Sequence, residues 1–129
     1  MTRKGFTLIE LMVVVLIVGI LAAASIPLMR GRIDSAKWAE ANATAGTIKS
    51  AVRVYYAENG KGMTGSLGDA ANQTALGFTK ADLTGTYFVP SDYTIDSVDA
   101  NGNAQVTVKG SQSNAPSGSK TLKADGTWQ

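Results

Sequence analysis

The sequence predicts an α+β protein: a long N-terminal α-helix, transmembrane in its first half, packed by its second half on a small antiparallel sheet of three or four strands. Three observations carry this expectation. From Phe6 to Met29 the chain runs for 24 residues with a single charge, Glu10. Beyond it, Ala41, Ala45, Ile48, Val52, Tyr55 and Tyr56 recur at spacings of three and four, the apolar stripe of an amphipathic helix. After Gly60 the texture changes: ten of the chain's 14 glycines lie from there to Gly126, among short apolar runs broken by turn residues.

Composition removes several kinds of chemistry before any motif is sought. The 129 residues include no Cys, so there is no disulfide framework, thiol nucleophile or zinc–thiolate site. They include no His, which excludes a Ser-His-Asp triad and imidazole metal ligands. The chain has 12 basic and 10 acidic residues, and removing Arg3 and Lys4 leaves ten of each sign. A basic stripe able to hold nucleic acid has no support in that balance. No cofactor or metal site is expected, and no catalysis.

The apolar run is the informative element. Twenty-four helical residues reach roughly 36 Å, enough to cross a hydrocarbon core of about 30 Å. Arg3 and Lys4 precede the run and favour a cytoplasmic N-terminus, although Arg30 and Arg32 follow it. Three readings compete: a secretory signal peptide cut after Ala22-Ala23-Ala24, an uncleaved anchor, or a short leader cut before the run. Glu10 separates them. A carboxylate in an apolar helix costs a few kcal/mol at the bilayer centre and marks function or a partner by default. A signal peptide or plain anchor gains nothing from it. Gly19 weakens the helix interior by about 1 kcal/mol relative to Ala. Pro27 removes the N–H that would bond the carbonyl of Ala23. On the residues alone this stretch is expected to kink and to pack closely through Gly19 and Ala23.

Lys4-Gly5-Phe6-Thr7-Leu8-Ile9-Glu10, after a short basic leader and before an uninterrupted apolar helix, resembles the N-terminus of the type IV pilin and pseudopilin family. The position of Pro27 fits as well, and the resemblance implies, as the alternative to a packed kink, that the stretch from Gly19 to Pro27 unwinds or extends in the assembled filament. The resemblance implies cleavage by a prepilin peptidase between Gly5 and Phe6, N-methylation of Phe6, and polymerisation into a helical filament. The residues agree with what it implies. Gly5 lets a protease approach the backbone. Cleavage would leave a cationic amine on Phe6, and Glu10 lies four residues along to answer it, in the same chain or in an axially shifted neighbour. In a water-poor bundle such a pair fixes register, because leaving one partner alone costs several kcal/mol.

The implied organisation is a leader over residues 1–5, a hydrophobic assembly helix over 6–29, an amphipathic helix over 30–59 and a globular head over 60–129. The head divides into a connection over 60–86 and a sheet over 87–129. Asn59-Gly60 is a helix stop. A short helix is expected near Lys80–Leu83. Strands are expected at Tyr87–Val89 and Tyr93–Ile95, with Pro90 and Asp92 between them. Asn101-Gly102 reads as a two-residue hairpin turn, flanked by Ile95–Val98 and by Ala104, Val106 and Val108. Asp99–Asn103 offers oxygen ligands, but its Gly falls too early for an EF-hand loop and no bidentate Glu follows. Ile48, Val52, Tyr56, Phe88, Val106 and Leu122 are the core candidates. The triplets Asn42-Ala43-Thr44 and Asn72-Gln73-Thr74 match a glycosylation sequon and are discounted.

The expected function is a structural subunit of a type IV pilus; the alternatives are a type II secretion pseudopilin and a membrane-tethered binding domain that never polymerises. The lack of Cys removes the C-terminal disulfide loop that pilins of the family often carry. The calcium loop of the major pseudopilin cannot be placed either. Expected partners are other copies of the chain in a helical homopolymer, the prepilin peptidase and methyltransferase, inner-membrane assembly machinery, and membrane lipid before assembly. The expected location is the inner membrane as precursor and the cell surface as filament, or the periplasm for a pseudopilus.

Overall fold

The computed structural model describes residues 3–129. Met1 and Thr2, the first part of the expected leader, lie outside the described residues. Helix α1 spans Leu8–Asn59. It ends where Asn59-Gly60 predicts, with Gly60 at φ 68° and its N–H on the carbonyl of Tyr56 at 2.8 Å. Gly19, Pro27, Gly31 and Gly46 all lie within it. The chain forms two compact units, one ending at Ser35 and the other spanning Ala36–Gln129.

The first unit is an apolar helix with every described side chain exposed. Leu8 is 77% exposed and Leu28 72%. Among the described residues one helix, α1, is long and apolar enough to cross a membrane, and none of its most apolar window is buried within the protein.

The second unit places the remainder of α1 on a four-stranded antiparallel sheet, β1 (Gly65–Ser66), β2 (Tyr93–Val98), β3 (Ala104–Lys109) and β4 (Ser119–Leu122), in the order β1-β2-β3-β4. Alternation along the strands decides which face is covered. Tyr93, Ile95, Ala104, Val106 and Val108 are buried beneath the helix, whereas Ser66, Thr94, Thr107 and Thr121 pair across the strands in one hydroxyl row. Trp38, Ala41, Ala45, Ile48 and Val52 form the buried stripe of α1. Trp38 closes the end of the core against Phe88, with ring centroids 5.4 Å apart.

Five of the six core candidates are buried; Tyr56 is only half-buried. Its ring covers Gly102 and its hydroxyl donates to the carbonyl of Ala100 at 3.0 Å, so it belongs to the joint between helix and hairpin. A phenol at the edge of a core keeps its polar tip satisfied in this way.

Three other expectations are corrected. The expected strand at Tyr87–Val89 is absent from the sheet. The N–H groups of Thr86, Tyr87 and Phe88 donate instead to the carboxylate of Glu40 at 3.0–3.2 Å, which leaves no ladder donor there, and Pro90 then opens a 3₁₀ turn over Pro90–Asp92. The sheet's first strand is β1, too short for periodicity to reveal. The short helix, α2, lies at Ala70–Ala75 rather than near Lys80–Leu83, because the Asp69 side chain caps it through the N–H of Ala71 at 2.9 Å. At the position originally expected, Asp82 draws the N–H and hydroxyl of Thr79, both at 2.7 Å, into a turn.

The turn chemistry at Asn101-Gly102 differs as well. Of the two, only Gly102 has positive φ, at 79°, and among the described residues no non-glycine residue does. Its N–H reaches the carbonyl of Asp99 at 3.0 Å, and Asp99 N–H reaches that of Asn103 at 3.0 Å. This is a longer loop built on a turn over Asp99–Gly102, with Gly102 as its left-handed residue. The Asp99 carboxylate accepts from the N–H groups of Asn101 and Asn103 and the side-chain amide of Asn103, so its oxygens serve the loop itself.

Such bonds hold three head carboxyls below their usual range. The side chain and then the backbone of Thr79 act on Asp82; the backbone and then the side chain of Asn103 act on Asp99; the side chain and backbone of Thr127 act on Asp125. A carboxyl with a depressed folded-state value contributes its stability above the unfolded value, and that contribution is lost as pH falls through the folded one. The head's thermal midpoint should therefore be flat from about pH 7 to 5 and fall below about pH 4, as a calorimetric pH series would show. Burial pushes the Tyr93 hydroxyl up to about 12, against an opposing hydrogen bond from Thr44. Its contribution is full below about pH 10, the unfolded value, and is lost as pH rises from there through about 12.

Candidate processing and assembly site

The residues singled out near the N-terminus converge on one helix start. Arg3–Thr7 are non-helical and α1 begins at Leu8. The carbonyl of Thr7 accepts the N–H of Leu11 at 3.3 Å, which makes Thr7 the cap residue. The Thr7 hydroxyl accepts the N–H of Glu10 at 3.3 Å, and the Glu10 carboxylate accepts the N–H of Thr7 at 2.9 Å. Two otherwise unpaired backbone donors are thus satisfied reciprocally, a capping box. The carboxylate also faces the positive end of the helix dipole. Sequence reasoning placed Glu10 opposite the Phe6 amine and overlooked Thr7. The signal was present in the spacing Thr7-Leu8-Ile9-Glu10, a Thr followed three residues later by Glu.

Gly5 and Phe6 lie immediately before the cap in non-helical backbone. Phe6 is 84% exposed, and nothing lies within 4 Å of where a Gly5 side chain would begin. Phe6 and Glu10 share the wall of a shallow apolar groove with Ile9, Leu11, Val13 and Val14. The arrangement therefore combines an accessible peptide bond, a carboxylate one turn away and an apolar surface with no partner inside its unit. Gly19 and Pro27 lie further along the same helix and do not join the groove. Among the described residues no three Asp or Glu side chains gather where they could hold a metal ion.

The family model described as "Prokaryotic N-terminal methylation motif" matches residues 1–26, which contain this whole site. Over 58 residues the chain is 47% identical to the fimbrial protein EcpC of Eikenella corrodens, covering 45% of this chain and 38% of that protein. It is 51% identical over 59 residues to the type IV major pilin protein PilE1 of Neisseria gonorrhoeae, covering 46% and 36%. The similarity to the type IV major fimbrial protein FimA of Dichelobacter nodosus is lower, 31%, but extends over 106 residues, 82% of this chain and 61% of that protein. The chain thus spans less than two thirds of the length of each of these relatives.

Proposed function

We propose that this chain, a relative of the type IV pilins, is a structural subunit of a pilus filament, cut between Gly5 and Phe6, methylated on Phe6 and polymerised through the first part of α1. The observation that carries this reading is the methylation motif over residues 1–26, lying on an exposed apolar helix whose first turn holds a carboxylate. The relatives reported above are named for pili and fimbriae, which favours a surface filament over a pseudopilus.

The mechanism follows from the solvent each group occupies. In the bilayer the apolar side chains from Leu8 to Met29 are matched by lipid tails, so the precursor is held in the inner membrane without a protein partner. Helix association in lipid gains little from hydrophobicity and depends on close contact and polar pairing. Gly19 and Ala23 offer the first, and Glu10 with the Phe6 amine the second. Methylation keeps the amine cationic. The capping box holds Glu10 on Thr7 in the uncut chain; cleavage supplies a charged competitor one residue before Thr7. Each incoming subunit is then registered by an amine that needs an anion at a defined axial offset. The partners are other copies of this chain, the peptidase and methyltransferase, and the membrane assembly machinery; the chain's own role is structural.

Intact-mass measurement of the mature subunit tests the processing step. The expected chain begins at methylated Phe6. A dominant N-terminus at Ser25 would instead establish the secretory-signal alternative.

A further inference from the structure

We propose that Thr7 is a positioning residue for leader removal: by ending α1 at Leu8 it keeps the Gly5–Phe6 peptide bond in non-helical backbone that a peptidase can engage. The proposal rests on the processing reading above and adds a role for a residue that reading leaves unused.

An apolar helix gains one backbone hydrogen bond for each residue added, so α1 tends to grow upstream through Phe6 toward Lys4. Were it to do so, the N–H of Thr7 would bond the carbonyl of Arg3, and the Gly5 carbonyl would accept from Ile9. The scissile carbonyl would then be engaged within a helix. The observed structure prevents this at one point. The N–H of Thr7 is taken by the Glu10 carboxylate at 2.9 Å, and the Thr7 hydroxyl holds the N–H of Glu10 at 3.3 Å. Gly5, a poor helix residue, adds to the resistance. Residues 3–7 accordingly stay outside the helix, and Phe6 stands exposed beside the bond to be cut. In the hydrolysis, water oxygen adds to the Gly5 carbonyl carbon, the bond to the Phe6 nitrogen breaks, and that nitrogen leaves as an amine after taking a proton. Thr7 takes no part in these transfers; it sets the fraction of chains whose scissile bond is available.

The test uses the full-length unprocessed chain in detergent with a prepilin-type membrane peptidase, comparing Thr7→Val, Thr7→Ser and the double variant Thr7→Val with Leu8→Pro. Loss of a Thr cap shifts the helical equilibrium about five-fold and is expected to lower kcat/KM by up to that factor in Thr7→Val. The change should fall on KM with kcat unchanged, because only the non-helical fraction binds. Thr7→Ser keeps the hydroxyl and should match wild type. Leu8→Pro should restore cleavage, since proline suits the first helical position and drives the preceding residue out of helical backbone. Backbone chemical shifts of Phe6 and Thr7 give a second reading independent of the enzyme: helical in Thr7→Val and non-helical in the other three chains. Wild-type kinetics or non-helical shifts in Thr7→Val would overturn the proposal. So would a fall in kcat that Leu8→Pro does not repair, which would mark a direct contact with the peptidase. A wild-type chain left uncut at Gly5–Phe6 would overturn the processing reading itself, and this proposal with it.

Discussion

Glu10→Ala is expected to abolish filament assembly while leaving membrane insertion close to normal and slowing leader removal at most a few-fold, because it frees the Thr7 N–H but keeps the Thr7 hydroxyl cap. Insertion depends on the apolar run, and the variant still has the backbone N–H at position 10 that the Thr7 hydroxyl caps. Assembly differs because the helices leave lipid for one another and each Phe6 amine becomes buried. An unpaired buried charge costs about 3–5 kcal/mol, which lowers subunit addition by roughly two to four orders of magnitude. Glu10→Gln should also assemble poorly, having the shape without the charge, and Glu10→Asp should retain part of the activity. Counting filaments per cell while measuring processed subunit in the membrane separates these steps. Abundant filaments of normal length from the alanine variant would remove the register role and leave Glu10 as a helix cap alone.

The second large effect is expected at the head's hairpin. Gly102 sits at φ 79°, buried, and a side chain there would meet the Tyr56 ring at 3.0–3.1 Å. Valine is therefore opposed twice, by the backbone conformation and by the helix above it. Gly102→Val should destabilise the head by roughly 1–3 kcal/mol in denaturant titration, at the upper end if Tyr56 is displaced. EDTA should change the melting of the wild-type head little, because the Asp99 oxygens are already occupied by loop donors. A large loss of stability on chelation would restore a calcium role for this loop. An unchanged midpoint in Gly102→Val would show that the hairpin does not depend on a left-handed residue.

What the sequence made legible depended on period and on strong local signals. The apolar run, the stripe from Ala41 to Val52 and the alternation at Ala104, Val106 and Val108 each repeat often enough to identify an element and its buried face. The helix stop at Asn59-Gly60 was local and correct. Elements settled by a single long-range contact were illegible. Glu40 lies 46 to 48 residues before the three N–H groups it binds, and those bonds turn a strand-like sequence at Tyr87–Val89 into a loop. Lys49 likewise ties the helix to the carbonyls of Lys123 and Ala124, at 2.9 and 2.6 Å, across more than seventy residues. Arg53 reaches the side chain of Asn103 beside the hairpin in the same manner. None of the three lies on the apolar stripe, so the helix pattern gives no sign of these bonds.

At the candidate site the balance was reversed. Glu10 could be named from sequence because a charge in an apolar run is rare and costly, and Gly5 and Phe6 only through the resemblance carried by the residues around it. Thr7 was overlooked because threonine beside such a run carries no comparable cost, and only its spacing to Glu10 reveals the cap.

The most direct measurement is electron microscopy of material sheared from cells making the wild-type chain, with intact-mass analysis of the subunit recovered in it. The account predicts filaments whose subunit begins at methylated Phe6. Recovery of the processed chain only from the membrane, with no filaments containing it, would contradict the claim that this protein polymerises.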